Sequence, residues 1–268
     1  MIRRPGGELA TRPLHFIWIA DCSGSMGSQG KIQALNNAVR EAIPHMQRVA
    51  DENPNAEVLV RVVRFASGAQ WHLGQATAVA DFKWDDLKAG GTTDMGRALK
   101  LVAGELKIPP MSDRALPPVL VLISDGQPTD DFGKGLEELL GEPWGKKAVR
   151  VAIAIGDDAD TEVLRRFIAH PEIEPLQANN PEALVRHIRW VSTAVLQAAS
   201  SPASQVARQG TAPLGASTQG APASGGTQFA TQSGAIQGGT SPGTQVPPAP
   251  VLAGTASTGA GTASADVW

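Results

Sequence analysis

The stretch PLHFIWIAD, Pro13–Asp21, is apolar for most of its length and stops at a carboxylate. The loop CSGSMG follows directly. A continuous apolar run closed by a Gly/Ser loop reads as a strand buried on both faces. The pattern returns twice downstream. PPVLVLISDG (Pro117–Gly126) ends in Asp then Gly, and VRVAIAIGDDAD (Val149–Asp160) has an acidic exit. Parallel sheets bury their strands in this way, so these three runs decide the fold class.

The segments between them are helical or hairpin-like. In KIQALNNAVREAIPHMQRVADEN, Leu35, Ala38, Val39, Ala42, Ile43, Met46 and Val49 recur at helical spacing, and Pro44 predicts a kink. EVLVRVVRFA (Glu57–Ala66) is a β-branched strand, with AQWHLG (Ala69–Gly74) as its antiparallel partner across a Ser-Gly turn. Further helices are MGRALKLVAGELK, DDFGKGLEELLG (Asp130–Gly141) and ADTEVLRRFIAH, the last capped by Asp160 or Thr161. A short strand is expected near EIEPLQ. The last helix, from Pro181, carries the stripe Leu184, Ile188, Val191 and Val195. Strand and helix alternate, which predicts an α/β fold: a doubly wound, mostly parallel sheet with helices on both faces. Ligands bind such sheets outside the carboxyl ends of the strands, where Asp21 and Asp125 fall.

The composition divides the 268 residues. Up to Ala199 it is ordinary and globular. Beyond it the chain is mostly Ala, Gly, Ser, Thr, Pro and Gln, with Arg208 and Asp266 its charged side chains. Such a segment buries too little apolar surface to offset ordering its backbone. The expected organisation is an N-terminal extension over 1–12, a domain over 13–199 and a disordered tail over 200–268. The formal net charge of -3, without a basic cluster, argues against nucleic acid. The single cysteine, Cys22, allows no intramolecular disulfide, and no apolar run is long enough for a membrane segment. The expected location is the cytoplasm.

Asp21, Ser23 and Ser25 alternate in a loop leaving a strand, so their side chains converge. Hydroxyl and carboxylate oxygens without His or Cys suit a hard cation such as Mg²⁺ or Mn²⁺. Thr93 or Thr92, from the loop before the second helical pattern, and Asp125 would supply two further oxygens from the same sheet end. Near them, Asp130 and Asp131 are candidates for helix caps or partner contacts. Trp84 and Trp144 read as edge packing, Cys22 as a small buried side chain. The five histidines have no metal-ligand spacing.

Asp-x-Ser-x-Ser at 21–25, a Thr opening a helix after Gly-Gly, and a later strand ending in Asp-Gly resemble the metal-ion-dependent adhesion site of von Willebrand factor A domains. The order agrees, with about 70 and then about 30 residues between the elements. DGQPTDDFGKGL, DADTEVL and IRWVSTAV sharpen the resemblance toward the TerY-like A-domain proteins of bacterial tellurite-resistance and stress clusters, and less closely the YegL-like ones. The resemblance implies that Ser23, Ser25 and Thr93 coordinate the metal directly. It implies that Asp21 and Asp125 act directly or through water, and that a protein partner presents an Asp or Glu to the open position. It further implies a scaffold or regulator working with a PP2C-type phosphatase and a protein kinase in stress or phage defence. The terminal Trp268 is a candidate docking residue. No poised nucleophile or general base accompanies the site, so a non-enzymatic binding module is expected. A metal-dependent phosphohydrolase is the alternative, but aspartyl-phosphate enzymes need a second Asp where Ser23 stands.

Overall fold

The computed structural model describes residues 11–200; the tail beyond, Trp268 with it, lies outside the described residues. Six strands form one sheet: β1 (Arg12–Asp21), β2 (Ala56–Ala66), β3 (Gly68–Ala78), β4 (Val119–Ser124), β5 (Val149–Ile155) and β6 (Leu176–Ala178). Their order across the sheet is β3-β2-β1-β4-β5-β6. All neighbours are parallel except β3, which folds back antiparallel on β2. The chain winds outward from β1 through β2, then crosses to the other side of β1 at β4. The strand order therefore reverses between β1 and β4, which is where open α/β sheets form their ligand crevice.

The central strand is apolar on both sides because both sides are covered. Leu14, Phe16, Trp18 and Ala20 point to one face, Ile17 and Ile19 to the other. The first face is packed by α1 (Lys31–Asp51) and by α5 (Pro181–Trp190). The second is packed by α2 (Met95–Glu105), α3 (Phe132–Gly141) and α4 (Thr161–Ile168). The expected doubly wound, mostly parallel α/β fold is the one observed.

Departures from the sequence reading are local. The turn expected after β1 is a 3-10 segment over Gly24–Gly30, interrupted at Ser28 and Gln29. β3 continues to Ala78, four residues past the expected Gly74, across a bulge opposite Val60–Val63. Pro44 is accommodated inside α1, which runs on to Asp51. After α5 a π-type turn over Val191–Val195 leads into α6 (Leu196–Ser200), and the predicted stripe Leu184, Ile188, Val191 and Val195 is buried throughout. Trp84 and Trp144 are buried, with the Trp84 indole donating to Asn36 Oδ1 at 3.0 Å. Among the described residues no helix is long and apolar enough to cross a membrane.

Candidate metal centre

Asp21 closes β1 and the chain leaves the sheet through Cys22–Ser25. Backbone bonds fix this exit. Cys22 N donates to Phe65 O at 2.8 Å, Gly90 N to Cys22 O at 2.8 Å, and Gly24 N to Gly91 O at 3.0 Å. Gly91 has φ +92°, and a β-carbon there would lie 2.6 Å from Ser67 Oγ, so only glycine lets the loop before α2 pass this close to the β2–β3 turn. The backbone bonds lace the loop before α2 to the loop after β1.

Asp21 is fully buried. Its Oδ1 accepts from Ser23 N at 2.7 Å and its Oδ2 from the Ser124 hydroxyl at 2.5 Å. Burial pushes its carboxyl above the usual range; the bonds from Ser124 and Ser23 oppose this, and the nearby Asp125 charge adds to it. No lysine, arginine or histidine is paired with it among the described residues. Asp125, also buried, accepts from Ser25 Oγ at 2.8 Å on Oδ1 and from Lys31 Nζ at 3.0 Å on Oδ2. The Ser23 and Ser25 hydroxyl oxygens stand 2.9 Å apart.

Thr93 and Thr92 part company. Thr93 is buried, and its backbone is held from both sides by Thr129: Thr93 N donates to Thr129 Oγ1, and Thr129 N to Thr93 O, each at 2.9 Å. A β-carbon on Gly126 would lie 3.8 Å from Ser25 Oγ and 4.0 Å from Thr93 Oγ1, so both hydroxyls flank the same gap. Thr92 is exposed, and its hydroxyl is engaged with Ser67 Oγ and Asp94 Oδ1, each at 3.2 Å. The structure thus brings together Asp21, Ser23, Ser25, Thr93 and Asp125, and leaves Thr92 outside.

These oxygens fit a hard divalent ion. Neighbouring ligands on an octahedral ion with bonds of about 2.1 Å stand about 3.0 Å apart. The Ser23–Ser25 and Ser25–Asp125 oxygen pairs, at 2.9 and 2.8 Å, already have that spacing. Among the described residues no three His, Cys, Asp or Glu gather closely enough to hold a metal, so any cation here relies on the hydroxyls. Burial and the nearby Asp21 charge, only partly opposed by Arg64, push the Cys22 thiol up to about 12, which leaves it unreactive.

The remaining acids do other work. Asp130 accepts from Gly96 N and Arg97 N, each at 2.8 Å, and so caps α2 from across the crevice. Asp131 caps its own helix, α3, by accepting from Lys134 N at 2.9 Å. The capping expected for this pair is therefore met by both carboxylates. Asp160 caps α4 through Glu162 N and Val163 N.

Sequence reasoning missed Ser124, Thr129 and Lys31. Ser124 carried no signal beyond preceding Asp125. Lys31 carried one: it opens a helix with no acid in its first turn. The helix dipole disfavours a cation there, so such a lysine is held by something else.

The fold has many solved counterparts. A von Willebrand factor type A protein from Catenulispora acidiphila is 22% identical with a TM-score of 0.50, covering 70% of this chain and 43% of its own. The ArnB paralog VWA2 from Sulfolobus acidocaldarius is 19% identical at TM-score 0.50, covering 66% and 44%. Proximal thread matrix protein 1 from the mussel byssus, in a form with a zinc-occupied MIDAS motif, is 18% identical at TM-score 0.52, covering 69% and 48%. The chain thus spans less than half the length of these solved chains, and the likeness is one of fold. No curated protein matches the chain. Residues 16–127 match the family model of the von Willebrand factor type A domain. That span, less than half of the chain, begins in the central strand and ends just past Asp125, so the similarity to von Willebrand factor type A domains encloses the whole oxygen cluster.

Proposed function

We propose that this domain is a metal-ion-dependent protein-binding module. Asp21, Ser23, Ser25, Thr93 and Asp125 hold a divalent cation, Mg²⁺ or Mn²⁺. The bound ion supplies a Lewis-acidic face on which a partner's Asp or Glu completes the coordination. The observation that carries this reading is the spacing of the Ser23, Ser25 and Asp125 oxygens, 2.9 and 2.8 Å, beside a buried Asp21 that no basic side chain among the described residues pairs with. Its role is recognition, without turnover. A von Willebrand factor type A domain commonly carries such a site and mediates protein interactions, which supports the reading. The motifs DGQPTDDFGKGL, DADTEVL and IRWVSTAV extend it to a TerY-type scaffold or regulator of tellurite resistance, stress response or antiphage defence. Its partners there are a PP2C-type phosphatase and a protein kinase of the same gene cluster, in the cytoplasm. We assign the module to 13–199 and treat 200–268, with Trp268, as a separate tail.

Thermal unfolding tests the metal. A ligand that binds only the native state, at a hundredfold excess over its Kd, adds about 2.7 kcal/mol. The wild type is expected to gain several degrees in Mg²⁺ or Mn²⁺ relative to EDTA, and Ser23→Ala to gain little. A wild-type melting temperature that ignores both ions sinks the metal reading. Pull-down with the cluster's phosphatase and kinase, in Mg²⁺ and in EDTA, tests the partners: equal recovery in both removes the metal-dependent contact.

A further inference from the structure

Lys31 is the residue of this site that the coordination reading does not use. Its side chain is 4% exposed. Its ammonium donates to Asp125 Oδ2 at 3.0 Å and stands 3.6 Å from Asp158 Oδ1 in the loop after β5. The space is shaped for it. Gly156 has φ +86°, and a β-carbon there would come within 3.1 Å of Lys31 Nζ. Two costs attach to this placement. A buried ammonium loses its hydration, and a cation in the first turn of a helix opposes the dipole. Asp125 offsets both, because its own buried carboxylate needs a counter-charge.

We infer that Lys31 is a built-in counter-cation of the metal site, which weakens the site's hold on a divalent ion and leaves the bound ion electrophilic. The inference rests on the metal reading above. Asp21 and Asp125 bring two formal negative charges, and the ammonium on Asp125 removes one of them. A divalent ion bound there keeps a net positive charge. Without Lys31 the two carboxylates would neutralise the ion, and an acidic side chain arriving at the open position would meet no charge. Asp158 compensates the ammonium only weakly, because it is 77% exposed and water screens it. Lys31 thereby trades metal affinity for attraction to an anionic ligand.

Lys31→Met removes the charge and keeps most of the side-chain volume. Lys31→Gln removes the charge and keeps a hydrogen-bond donor for Asp125. Both are compared with the wild type by isothermal titration with MnCl₂ and by melting in Mn²⁺ and in EDTA. The neutral variants are expected to melt lower in EDTA, since Asp125 loses its partner, and to bind Mn²⁺ on the order of tenfold more tightly. Their Mn²⁺-induced rise in melting temperature is expected to exceed the wild-type rise. A lysine that only braces loops would lower the melting temperature equally with and without metal. If the wild type binds Mn²⁺ and neither neutral variant binds it more tightly, the inference is overturned while the metal site stands. If the wild type binds no Mn²⁺, the metal reading itself fails, and this inference with it.

Discussion

Thr92 and Thr93 are chemically identical neighbours whose side chains do different work. The Thr92 hydroxyl is committed to Ser67 and Asp94 at the surface, where it helps fasten the loop before α2 to the β2–β3 turn. Thr93 is buried, and among the described residues its hydroxyl makes no hydrogen bond; it faces the gap beside Gly126 that Ser25 also faces. Thr→Val preserves shape and deletes the oxygen, so the pair can be separated cleanly. Thr93→Val is expected to weaken Mg²⁺ or Mn²⁺ binding by roughly tenfold or more, the scale of a lost bond to a charged group. Thr92→Val is expected to leave affinity within about twofold. Titration calorimetry on both variants checks the assignment, and the reverse pattern would move the ligand to Thr92.

At the scale of elements, the crevice is assembled by one helix pair. α2 and α3 approach closely because each offers a glycine at the crossing: a β-carbon on Gly96 would lie 2.4 Å from Asp131 O, and one on Gly135 would lie 2.4 Å from Gly96 O. That approach brings the loop after β4 against the N-terminus of α2, where Asp130 takes two N–H groups and Thr129 takes the backbone of Thr93. The two loops that carry Thr93 and Asp125 therefore brace each other before any ion arrives. Asp130→Ala leaves Gly96 N and Arg97 N without their acceptor. It is expected to cost about 1–2 kcal/mol, as lost helix caps do. In a domain of this size that lowers the melting temperature by roughly 2–8 °C. Differential scanning calorimetry in EDTA checks it with no partner or metal present. An unchanged melting temperature would show the cap to be idle and free Asp130 for contact with another protein.

At the scale of the whole molecule, what was legible in the sequence and what was not divide along a physical line. The three central strands announced themselves because burial on both faces writes a continuous apolar run, and the helices because one-sided burial writes a periodic stripe. Asp21, Ser23, Ser25 and Asp125 were legible because their positions at strand ends follow from that frame. Lys31 and Ser124 were not, since each reaches a partner about a hundred residues away: Lys31 pairs with Asp125 and Ser124 with Asp21. Two histidines, called roleless from spacing alone, are similarly defined by long-range packing. Both have lowered pKa values for the same first reason, burial. His15, on the α2 side of the sheet, falls to about 4 through burial and the Arg61 charge, with Glu105 opposing. His187, on the α5 side, is lowered too, although its bond to Gln177 O opposes the shift. Depressed histidines make the fold acid-sensitive. As pH falls from about 6.5 toward 4, the unfolded chain takes up protons that the native protein refuses, so stability is lost across that window and no further below it. Over the full window His15 accounts for roughly 3–3.5 kcal/mol of that loss, from the separation between its folded and unfolded pKa values. Asp21 shifts the other way, so the total pH profile mixes signs, but the difference between wild type and His15→Gln cancels what the two share. Urea melts of both proteins at pH 7.5, 6, 5 and 4, in EDTA, isolate the term. The wild type is expected to lose stability relative to His15→Gln steadily from pH 6.5 downward, and a pH-independent difference would mean that His15 titrates in the fold as it does in the open chain.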